Sequence, residues 1–335
     1  MEPLLEVKQL HIQFQAHGGT VKAVRGIDFT IGKGETLAIV GESGCGKSVS
    51  SLAIMGLIDH PGKITNGSII FKGKDLTRLT SKEMRKVQGI DISMVFQDPM
   101  TALNPTLTIE SQLIEGLIHQ KKMSKRVAKK EAIKVLEWVG ISNPHERLKQ
   151  YPHQLSGGMR QRIVIAMALI CEPDLLIADE PTTALDVTIQ AQILELFESI
   201  QKRTGISIVI ITHDLGVVAK MADRIAVMYA GRIVEMGSKR QVFYHSEHPY
   251  TRALLNSVVR LDQTSHSLKP IEGSPPDLFS PPKGCAFVDR CPFAMEVCGR
   301  VQPQKSRLRE GHQVECWLQD TRAVAVRKEM LASQL

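Results

Sequence analysis

The sequence predicts an α/β fold in which a mostly parallel sheet carries a phosphate-binding loop and helices cover both of its faces. Short apolar runs at 36–40 and 207–211, the second rich in β-branched residues, are typical of buried parallel strands. Segments with helical spacing of apolar residues lie between these runs, and strands that alternate with helices favour a parallel sheet. A glycine-rich segment directly after the first run matches a phosphate-binding pattern.

The composition of the 335 residues excludes several other classes of protein. Hydrophobic residues make up 43% and charged residues 23%, so the chain can fill a core and is not disordered as a whole. Aromatic residues reach only 4%, which leaves few stacking platforms for single-stranded nucleic acid, and the net charge of +7 is modest. The length predicts one large domain with an addition, or two domains.

The sequence shows no segment that we expect to span a membrane or to direct secretion. Its longest strictly apolar run, 163–171, is far shorter than the roughly 20 residues that span a bilayer. The first residues carry two acids and lack the basic and apolar regions of a secretory signal. We therefore expect the chain to remain in the cytoplasm.

Two segments show the periodicity of helices that pack one face on a core. From Ser124 onward apolar residues follow helical spacing until Gly140, which occupies the position expected after a helix C-terminus. A second series begins at Ile193 and ends in the same way at Gly205. The basic stretch 121–130 overlaps the first helix and is either a solvated face or a contact for an acidic partner or anionic lipid.

A phosphate-binding loop follows the strand at 36–40. Its sequence fits G-x-x-x-x-G-K-[ST] and consists of Gly41, Glu42, Ser43, Gly44, Cys45, Gly46, Lys47 and Ser48. The glycines allow successive backbone N–H groups to point toward one site, and the helix that begins near Lys47 adds the positive end of its dipole. We expect Lys47 to reach the β- and γ-phosphates of a nucleotide and the Ser48 hydroxyl to bind Mg²⁺.

A further apolar run, 175–178, ends in the two acids Asp179 and Glu180. Two acids at a strand end are by themselves typical of a protein surface. Beside a phosphate-binding loop, however, Asp179 can hold the shell of a Mg²⁺ ion and Glu180 can polarise an attacking water. The two motifs together predict a site that hydrolyses a nucleotide.

The segment 155–162, with the sequence Leu-Ser-Gly-Gly-Met-Arg-Gln-Arg, lies just upstream of these acids. Ser156 is a favourable N-cap, Gly157 and Gly158 present backbone amides, and an apolar helix follows, so a second anion site is expected there. With the two motifs above, this signature resembles the ATP-binding cassette (ABC) family. The resemblance implies an ABC-type P-loop ATPase domain with a mixed-sheet core and a helical subdomain.

The resemblance also implies that two such domains meet head to tail. Each ATP would then lie between the phosphate-binding loop of one chain and the signature of the other, and a lone copy should hydrolyse ATP poorly. Gln97 resembles the Q-loop glutamine that contacts Mg²⁺ and water, and His213 resembles the switch histidine that contacts the γ-phosphate. Asp186 belongs to a segment that resembles the D-loop, and Phe14 matches the ring that stacks on adenine. Mg²⁺ would be held through Ser48, Gln97 and Asp179.

The C-terminal part of the chain narrows the resemblance to one branch of this family. Segments 248–255, 273–278 and 284–292 resemble the C-terminal extension of oligopeptide and dipeptide importer ATPases, and nickel importers share much of it. A stretch rich in Ser, Gly and Pro follows residue 259 and is typical of a linker or strap. We expect a nucleotide-binding domain at 1–258 and the extension at 259–335, and within the first of these a helical subdomain over 98–165.

This resemblance implies the D-type ATP-hydrolysing subunit of an ABC transporter that imports di- or oligopeptides. Its partners would be a second homologous ATPase subunit in a heterodimer, two transmembrane permeases and an extracytoplasmic substrate-binding protein, with no nucleic acid. The chain would be peripheral on the cytoplasmic face of the inner membrane. Two alternatives stay open: a nickel importer ATPase of the same family, and a soluble cassette ATPase that acts on nucleic acid or ribosomes.

Four of the six cysteines lie in a lobe at 285–316, and they are Cys285, Cys291, Cys298 and Cys316. So short a segment cannot bury a core of its own and needs additional anchorage. The spacing fits neither a zinc ribbon nor a common ferredoxin, and it leaves zinc, an iron–sulfur cluster and four unlinked thiols open. The resemblance favours a [4Fe–4S] cluster over Zn²⁺, since importer ATPases with this pattern are known to hold one.

Overall fold

The computed structural model describes residues 2–98, 102–183, 186–257, 271–308 and 311–333. Two sheets and a set of helices make up the described part of the chain. The strands are β1 (Leu5–Ala16), β2 (Gly19–Ile31), β3 (Thr36–Val40), β4 (Gly62–Phe71), β5 (Lys74–Asp75), β6 (Ile92–Val95), β7 (Leu175–Asp179), β8 (Ser207–Ile211), β9 (Arg224–Tyr229), β10 (Arg232–Ser238), β11 (Ser306–Arg307) and β12 (Gln313–Val314).

The helices divide into those that cover the sheets and those that belong to the C-terminal extension. They are α1 (Lys47–Ile54), α2 (Ser81–Val87), α3 (Ile109–His119), α4 (Lys125–Trp138), α5 (Pro144–Arg147), α6 (Gly157–Leu169), α7 (Val187–Thr204), α8 (Leu215–Met221), α9 (Lys239–Tyr244), α10 (Pro249–Asn256), α11 (Glu296–Arg300) and α12 (Val324–Ala332). No helix in these described ranges combines the length and the apolar character that a bilayer crossing demands.

The larger sheet has the strand order β11-β12-β10-β9-β3-β8-β7-β6. Strands β6, β7, β8, β3 and β9 run parallel, and β10, β12 and β11 continue the sheet in antiparallel fashion. The two strands predicted at 36–40 and 207–211 are confirmed as β3 and β8. Because parallel strands point their carboxyl ends to one edge, the residues that follow β3, β7 and β8 meet there.

The smaller sheet is antiparallel, with the order β2-β1-β4-β5, and the sequence analysis did not predict it as a separate layer. Its longest pairing, between β1 and β2, shifts register at several points, for instance between Val7 and Leu10. Such bulges interrupt the alternation of apolar and polar residues on which strand prediction depends. The apolar–polar alternation in β1 and β2 is therefore a weaker signal of a strand than the unbroken apolar runs of the buried strands.

Helix ends follow the sequence signals. Helix α4 begins directly after Ser124, and α7 ends at Thr204, directly before Gly205, whose φ of 69° lies in the left-handed region that favours glycine. Both predicted helices are thus confirmed, and α4 ends two residues before Gly140.

The large sheet is buried on both faces. Alternate residues of β3 belong to different hydrophobic clusters: Ala38 and Val40 pack with the helices α3, α4, α6 and α7, whereas Leu37 and Ile39 pack with the small sheet and α1. Strands enclosed in this way are apolar without interruption, which explains the runs seen in the sequence. The carboxyl ends of these buried strands position the residues of the site.

The C-terminal extension is packed onto the rest of the chain. Strand β12 pairs with the outer edge of β10, and the buried side chain of Phe287 joins the larger hydrophobic cluster. The buried carboxylate of Glu235 accepts a hydrogen bond from His312 Nε2 at 2.7 Å and two more from the backbone N–H groups of Glu247 and His248. This packing supplies anchorage that so short a segment could not provide alone.

Candidate active site

The phosphate-binding loop connects β3 to α1 along a path that glycine makes possible. A Cβ atom at Gly41, where φ is 152°, would lie 2.0 Å from the carbonyl oxygen of Met228, and one at Gly46 would lie 2.5 Å from that of Ala23. No atom of the described residues would lie within 4 Å of a Cβ at Gly44. The base of the loop is therefore closed by neighbouring backbone, and its rim is open to a ligand.

The Lys47 side chain lies inside this loop. Its Nζ donates hydrogen bonds to the carbonyl oxygens of Gly41 at 2.8 Å and Glu42 at 2.9 Å, and the side chain is buried. A third, weaker contact joins Nζ to the sulfur of Cys45 at 3.8 Å. The loop thus holds a desolvated positive charge at its centre, where the dipole of α1 also favours an anion.

Ser48 and Asp179 meet beside the loop although 131 residues separate them. Ser48 Oγ donates a hydrogen bond to Asp179 Oδ1 at 3.0 Å. Burial raises the pKa of Asp179, and the hydrogen bond from Ser48 opposes that shift. Mg²⁺ binds carboxylate and hydroxyl oxygens together with substrate phosphates, so the oxygens of this pair fit that ion.

Glu180 is the centre of a second group of side chains. Its Oε2 accepts hydrogen bonds from Gln97 Nε2 at 3.0 Å and from Thr183 Oγ1 at 2.9 Å, and its Oε1 lies 3.2 Å from His213 Nδ1. Its φ is 47°, in the left-handed region that residues other than glycine rarely adopt. Such strain persists where the surrounding structure enforces it, often at functional sites. Gln97 contacts Glu180 in this structure, so only Ser48 and Asp179 of the predicted Mg²⁺ ligands are joined directly.

The signature segment begins helix α6. Ser156 Oγ accepts a hydrogen bond from the backbone N–H of Met159 at 3.4 Å, as expected of an N-cap. A Cβ atom at Gly157 would meet no described atom within 4 Å, and one at Gly158 would make ordinary contacts with Ile189. Among the hydrogen bonds of the described residues, none joins Ser156, Gly157 or Gly158 to the loop at 41–48.

Two other residues predicted for the site, Phe14 and Asp186, make contacts within this chain. Phe14 lies in β1 opposite Gly62, where a Cβ atom would come within 2.5 Å of its ring, so the ring lies directly over that glycine. Asp186 Oδ1 accepts a hydrogen bond from the backbone N–H of Ile189 and caps α7. Residues 184 and 185 of the predicted D-loop lie outside the described residues.

The four cysteines of the lobe are free thiols. Burial raises the pKa of Cys285 to about 11 and that of Cys291 to about 12, and burial raises the pKa of Cys316 as well. Cys285 and Cys291 pack against the larger hydrophobic cluster, whereas Cys316 packs against a small one around Met330.

The predicted metal site in this lobe is not supported by the geometry. In the parts of the chain that the structure describes, no group of three or more His, Cys, Asp or Glu side chains is arranged to hold a metal ion. The four thiols nonetheless lie in one neighbourhood, because, besides burial, charge repulsion from Cys298 raises the pKa of Cys285, Cys291 and Cys316. The observed arrangement by itself therefore does not assign a [4Fe–4S] cluster or a Zn²⁺ ion to the lobe.

Sequence reasoning missed the contacts that the C-terminal extension makes with the phosphate-binding loop. Arg290 binds the carboxylate of Glu42, and the Tyr250 hydroxyl accepts a hydrogen bond from the backbone N–H of Glu42 at 3.0 Å. These residues are more than 200 positions apart in the sequence, and no spacing rule connects them.

Comparisons with known proteins agree with this geometry. A sequence profile described as "ABC transporter" matches residues 24–183, and one described as "Oligopeptide/dipeptide transporter, C-terminal region" matches residues 234–298. The dipeptide transport ATP-binding protein DppD of Bacillus subtilis is 64% identical over 96% of this chain and 97% of its own length. The oligopeptide transport ATP-binding protein OppD of the same organism is 56% identical over 94% of this chain and 88% of its own.

Solved structures are similar over the cassette part. The ATP-binding cassette MJ0796, in a dimeric post-hydrolysis state bound to ADP and Pi, superimposes with a TM-score of 0.62 at 29% identity, covering 70% of this chain and 98% of that one. The protein cbiO1 of Clostridium perfringens, part of the ABC transporter complex cbiONQ, has a TM-score of 0.62 at 31% identity, covering 73% and 92%.

Proposed function

The chain belongs to the ATP-binding proteins of the oligopeptide/dipeptide ABC transporters, and on that basis we propose that it hydrolyses ATP to power the import of di- or oligopeptides. The proposal of ATP hydrolysis rests on the group formed by Glu180, Gln97 and His213 beside the phosphate-binding loop. The C-terminal region at 234–298 and the high identity to DppD and OppD support the peptide substrate.

ATP binding is proposed to use the loop at 41–48 and the start of α1. The backbone N–H groups and Lys47 would bind the phosphates, and Lys47 would exchange its carbonyl partners for phosphate oxygens. Ser48 and Asp179 would hold Mg²⁺, which when bound neutralises phosphate charge. Phe14 would stack on the adenine, because its ring lies partly exposed on the small sheet.

Hydrolysis is proposed to depend on Glu180 as the general base. Its carboxylate lies at the end of β7 and is already bound by Gln97 and Thr183 on one oxygen and by His213 on the other. These contacts hold the carboxylate in one orientation, which supports the proposal that it aligns a water for attack on the γ-phosphate. His213, at the end of β8, would then contact the γ-phosphate itself.

We further propose that the working ATP pocket is shared between two chains. The signature residues Ser156, Gly157 and Gly158 form an open helix N-terminus that has no contact with this chain's own loop among the described hydrogen bonds. MJ0796 is dimeric in its post-hydrolysis state, which supports the same arrangement here. Asp186 would lie at the junction as part of the D-loop.

The proposed assembly contains a second homologous ATPase subunit in a heterodimer, two permeases and an extracytoplasmic binding protein. The chain would then be peripheral on the cytoplasmic face of the inner membrane. Within it, residues 1–258 would form the nucleotide-binding domain and 259–335 the extension.

Peptide uptake tests this proposal in a strain that lacks the gene. We expect the wild-type chain to restore uptake of a labelled dipeptide or a longer peptide, and the variant Glu180→Gln not to restore it, because transport requires hydrolysis. The wild-type chain and the Glu180→Gln variant should be present in the membrane fraction in equal amounts. Restored uptake of Ni²⁺ without any peptide would contradict the peptide substrate and favour the nickel alternative.

The [4Fe–4S] cluster is a separate proposal that rests on the resemblance and on four thiols in one lobe. Anaerobically purified chain should then show visible absorption and about four irons per chain, since each cubane holds that number. Cys291→Ser should lose the iron, and Cys171→Ser, a buried cysteine outside the lobe, should keep it. A colourless protein with stoichiometric zinc, or with no metal, would contradict the cluster.

A further inference from the structure

The C-terminal lobe reaches the phosphate-binding loop through one side chain. Arg290 lies just before Cys291 and forms a two-pronged ion pair with Glu42, with Nη1 to Oε2 at 2.7 Å and Nη2 to Oε1 at 2.9 Å. The Arg290 side chain is only 5% exposed and that of Glu42 is 24% exposed. Paired, charge-assisted hydrogen bonds of this kind fix orientation as well as distance.

The guanidinium of Arg290 has a partner for each of its N–H groups. Besides Glu42, it donates to the Tyr229 hydroxyl at 3.1 Å and to the backbone carbonyls of Ile271 at 3.2 Å and Glu272 at 2.9 Å. A guanidinium has five N–H donors, and these contacts use all of them. Arg290 is therefore held by the extension and by β9 as well as by the loop.

Glu42 is held through its main chain as well. Its backbone N–H donates to the hydroxyl of Tyr250, which is fully buried and packs on Tyr229 with ring centroids 4.5 Å apart. Its carbonyl oxygen accepts a hydrogen bond from Lys47 Nζ. Glu42 therefore connects Arg290, which is not part of the loop, to Lys47 at the centre of the loop.

We infer that Arg290 is a positioning residue for ATP binding: by holding Glu42 from the C-terminal lobe, it keeps the phosphate-binding loop and Lys47 in the binding conformation. The docked lobe thereby raises the affinity of the chain for ATP. The inference rests on the proposed ATP site and not on the identity of the transported solute. A loop that is already ordered loses less conformational entropy when a phosphate binds, so the contact acts mainly on affinity.

A double-mutant cycle on Arg290 and Glu42 tests this inference. ATP binding to the purified full-length chain is measured by titration calorimetry in EDTA, which prevents hydrolysis. We expect Arg290→Met and Glu42→Gln each to weaken ATP binding about tenfold, a loss of about 1.4 kcal/mol. The double variant should be no weaker than either single variant, because both changes remove the same interaction.

Kinetics of the assembled transporter separate positioning from a general structural role. We expect Arg290→Met to raise KM for ATP about tenfold and to change kcat by less than about twofold, because saturating ATP restores the loop. Arg290→Lys, which keeps the charge and loses the paired geometry, should recover part of the affinity. Arg300→Met is the matched control, since Arg300 is an exposed arginine of the same lobe that pairs only with Glu296 among the described contacts.

The outcomes that would overturn the inference are distinct from failure of the proposed function. An unchanged affinity in folded Arg290→Met, or an Arg290→Met effect that persists in the Glu42→Gln background, would refute it. A fall in kcat with an unchanged KM would refute it as well. If Arg290→Met lowers the melting temperature too far to be measured, Glu42→Gln alone carries the test. A wild-type chain that fails to bind ATP would refute the proposed function itself.

Discussion

Replacing Glu180 with glutamine is expected to lower ATP turnover roughly 10²- to 10⁴-fold while ATP still binds. Glutamine keeps the size of the side chain and one of its oxygens, so the contacts with Gln97 or Thr183 can be retained in part. It cannot accept a proton from the attacking water, because its amide is not a base near neutral pH. Phosphate release by the assembled transporter and calorimetric ATP binding measure the two quantities separately.

The control for this variant is Glu195→Gln on α7. Glu195 is 69% exposed and pairs with Lys220 at 3.6 Å on the surface, so the same chemical change should leave turnover unaffected. Turnover of Glu180→Gln within about twofold of wild type would remove Glu180 from the role of general base. A parallel loss of ATP binding would instead point to a disturbed loop.

Replacing Gly157 with aspartate is expected to lower hydrolysis by the assembled transporter about 10²-fold, while this chain still binds its own ATP. In the proposed pair, Gly157 faces the phosphates of the ATP that the partner subunit holds, and a carboxylate there would repel them. The fold should tolerate the change, since a Cβ at this position meets no described atom within 4 Å and an acid is favourable at a helix N-terminus. Activity of the purified complex and its melting temperature measure both effects.

The matched control is Gly299→Asp, at an exposed glycine of α11 with equally open surroundings. It should change neither activity nor ATP binding. Full activity of a complex that carries Gly157→Asp would contradict the shared pocket. The same conclusion would follow if the isolated chain, as a strict monomer, hydrolysed ATP at the rate of the complex.

The parts of the site that the sequence predicted are those with a local pattern. The loop at 41–48 and the acids after 175–178 each follow a strand that is buried on both faces, and such strands are recognisable from an unbroken apolar run. Parallel strands bring their carboxyl ends to one edge, which explains why Ser48 and Asp179 meet across 131 residues. The small antiparallel sheet was harder to predict, because register shifts in β1 disturb its alternation.

Contacts between distant segments had no signal in the sequence. Arg290 and Glu42 are 248 residues apart and belong to different motifs, so neither the loop pattern nor the cysteine spacing indicates the ion pair. Thr183 likewise supports Glu180 without being part of a pattern used in the prediction. The cysteine spacing left the kind of metal site in the lobe open and only the resemblance favoured a [4Fe–4S] cluster, while no group of three or more metal-binding side chains among the described residues is arranged to hold a metal ion.

The pairing of β12 with β10 also bears on the solubility of the cassette. An uncovered strand edge offers unpaired N–H and C=O groups to other chains and promotes aggregation. In this protein the extension covers the edge of β10 and, through Phe287, the aromatic surface of Tyr229 and Tyr250. We therefore expect a shortened form that ends near residue 257 to expose this edge at Glu235 and Met236, together with the apolar surface beneath Phe287, and to aggregate more readily than the full chain.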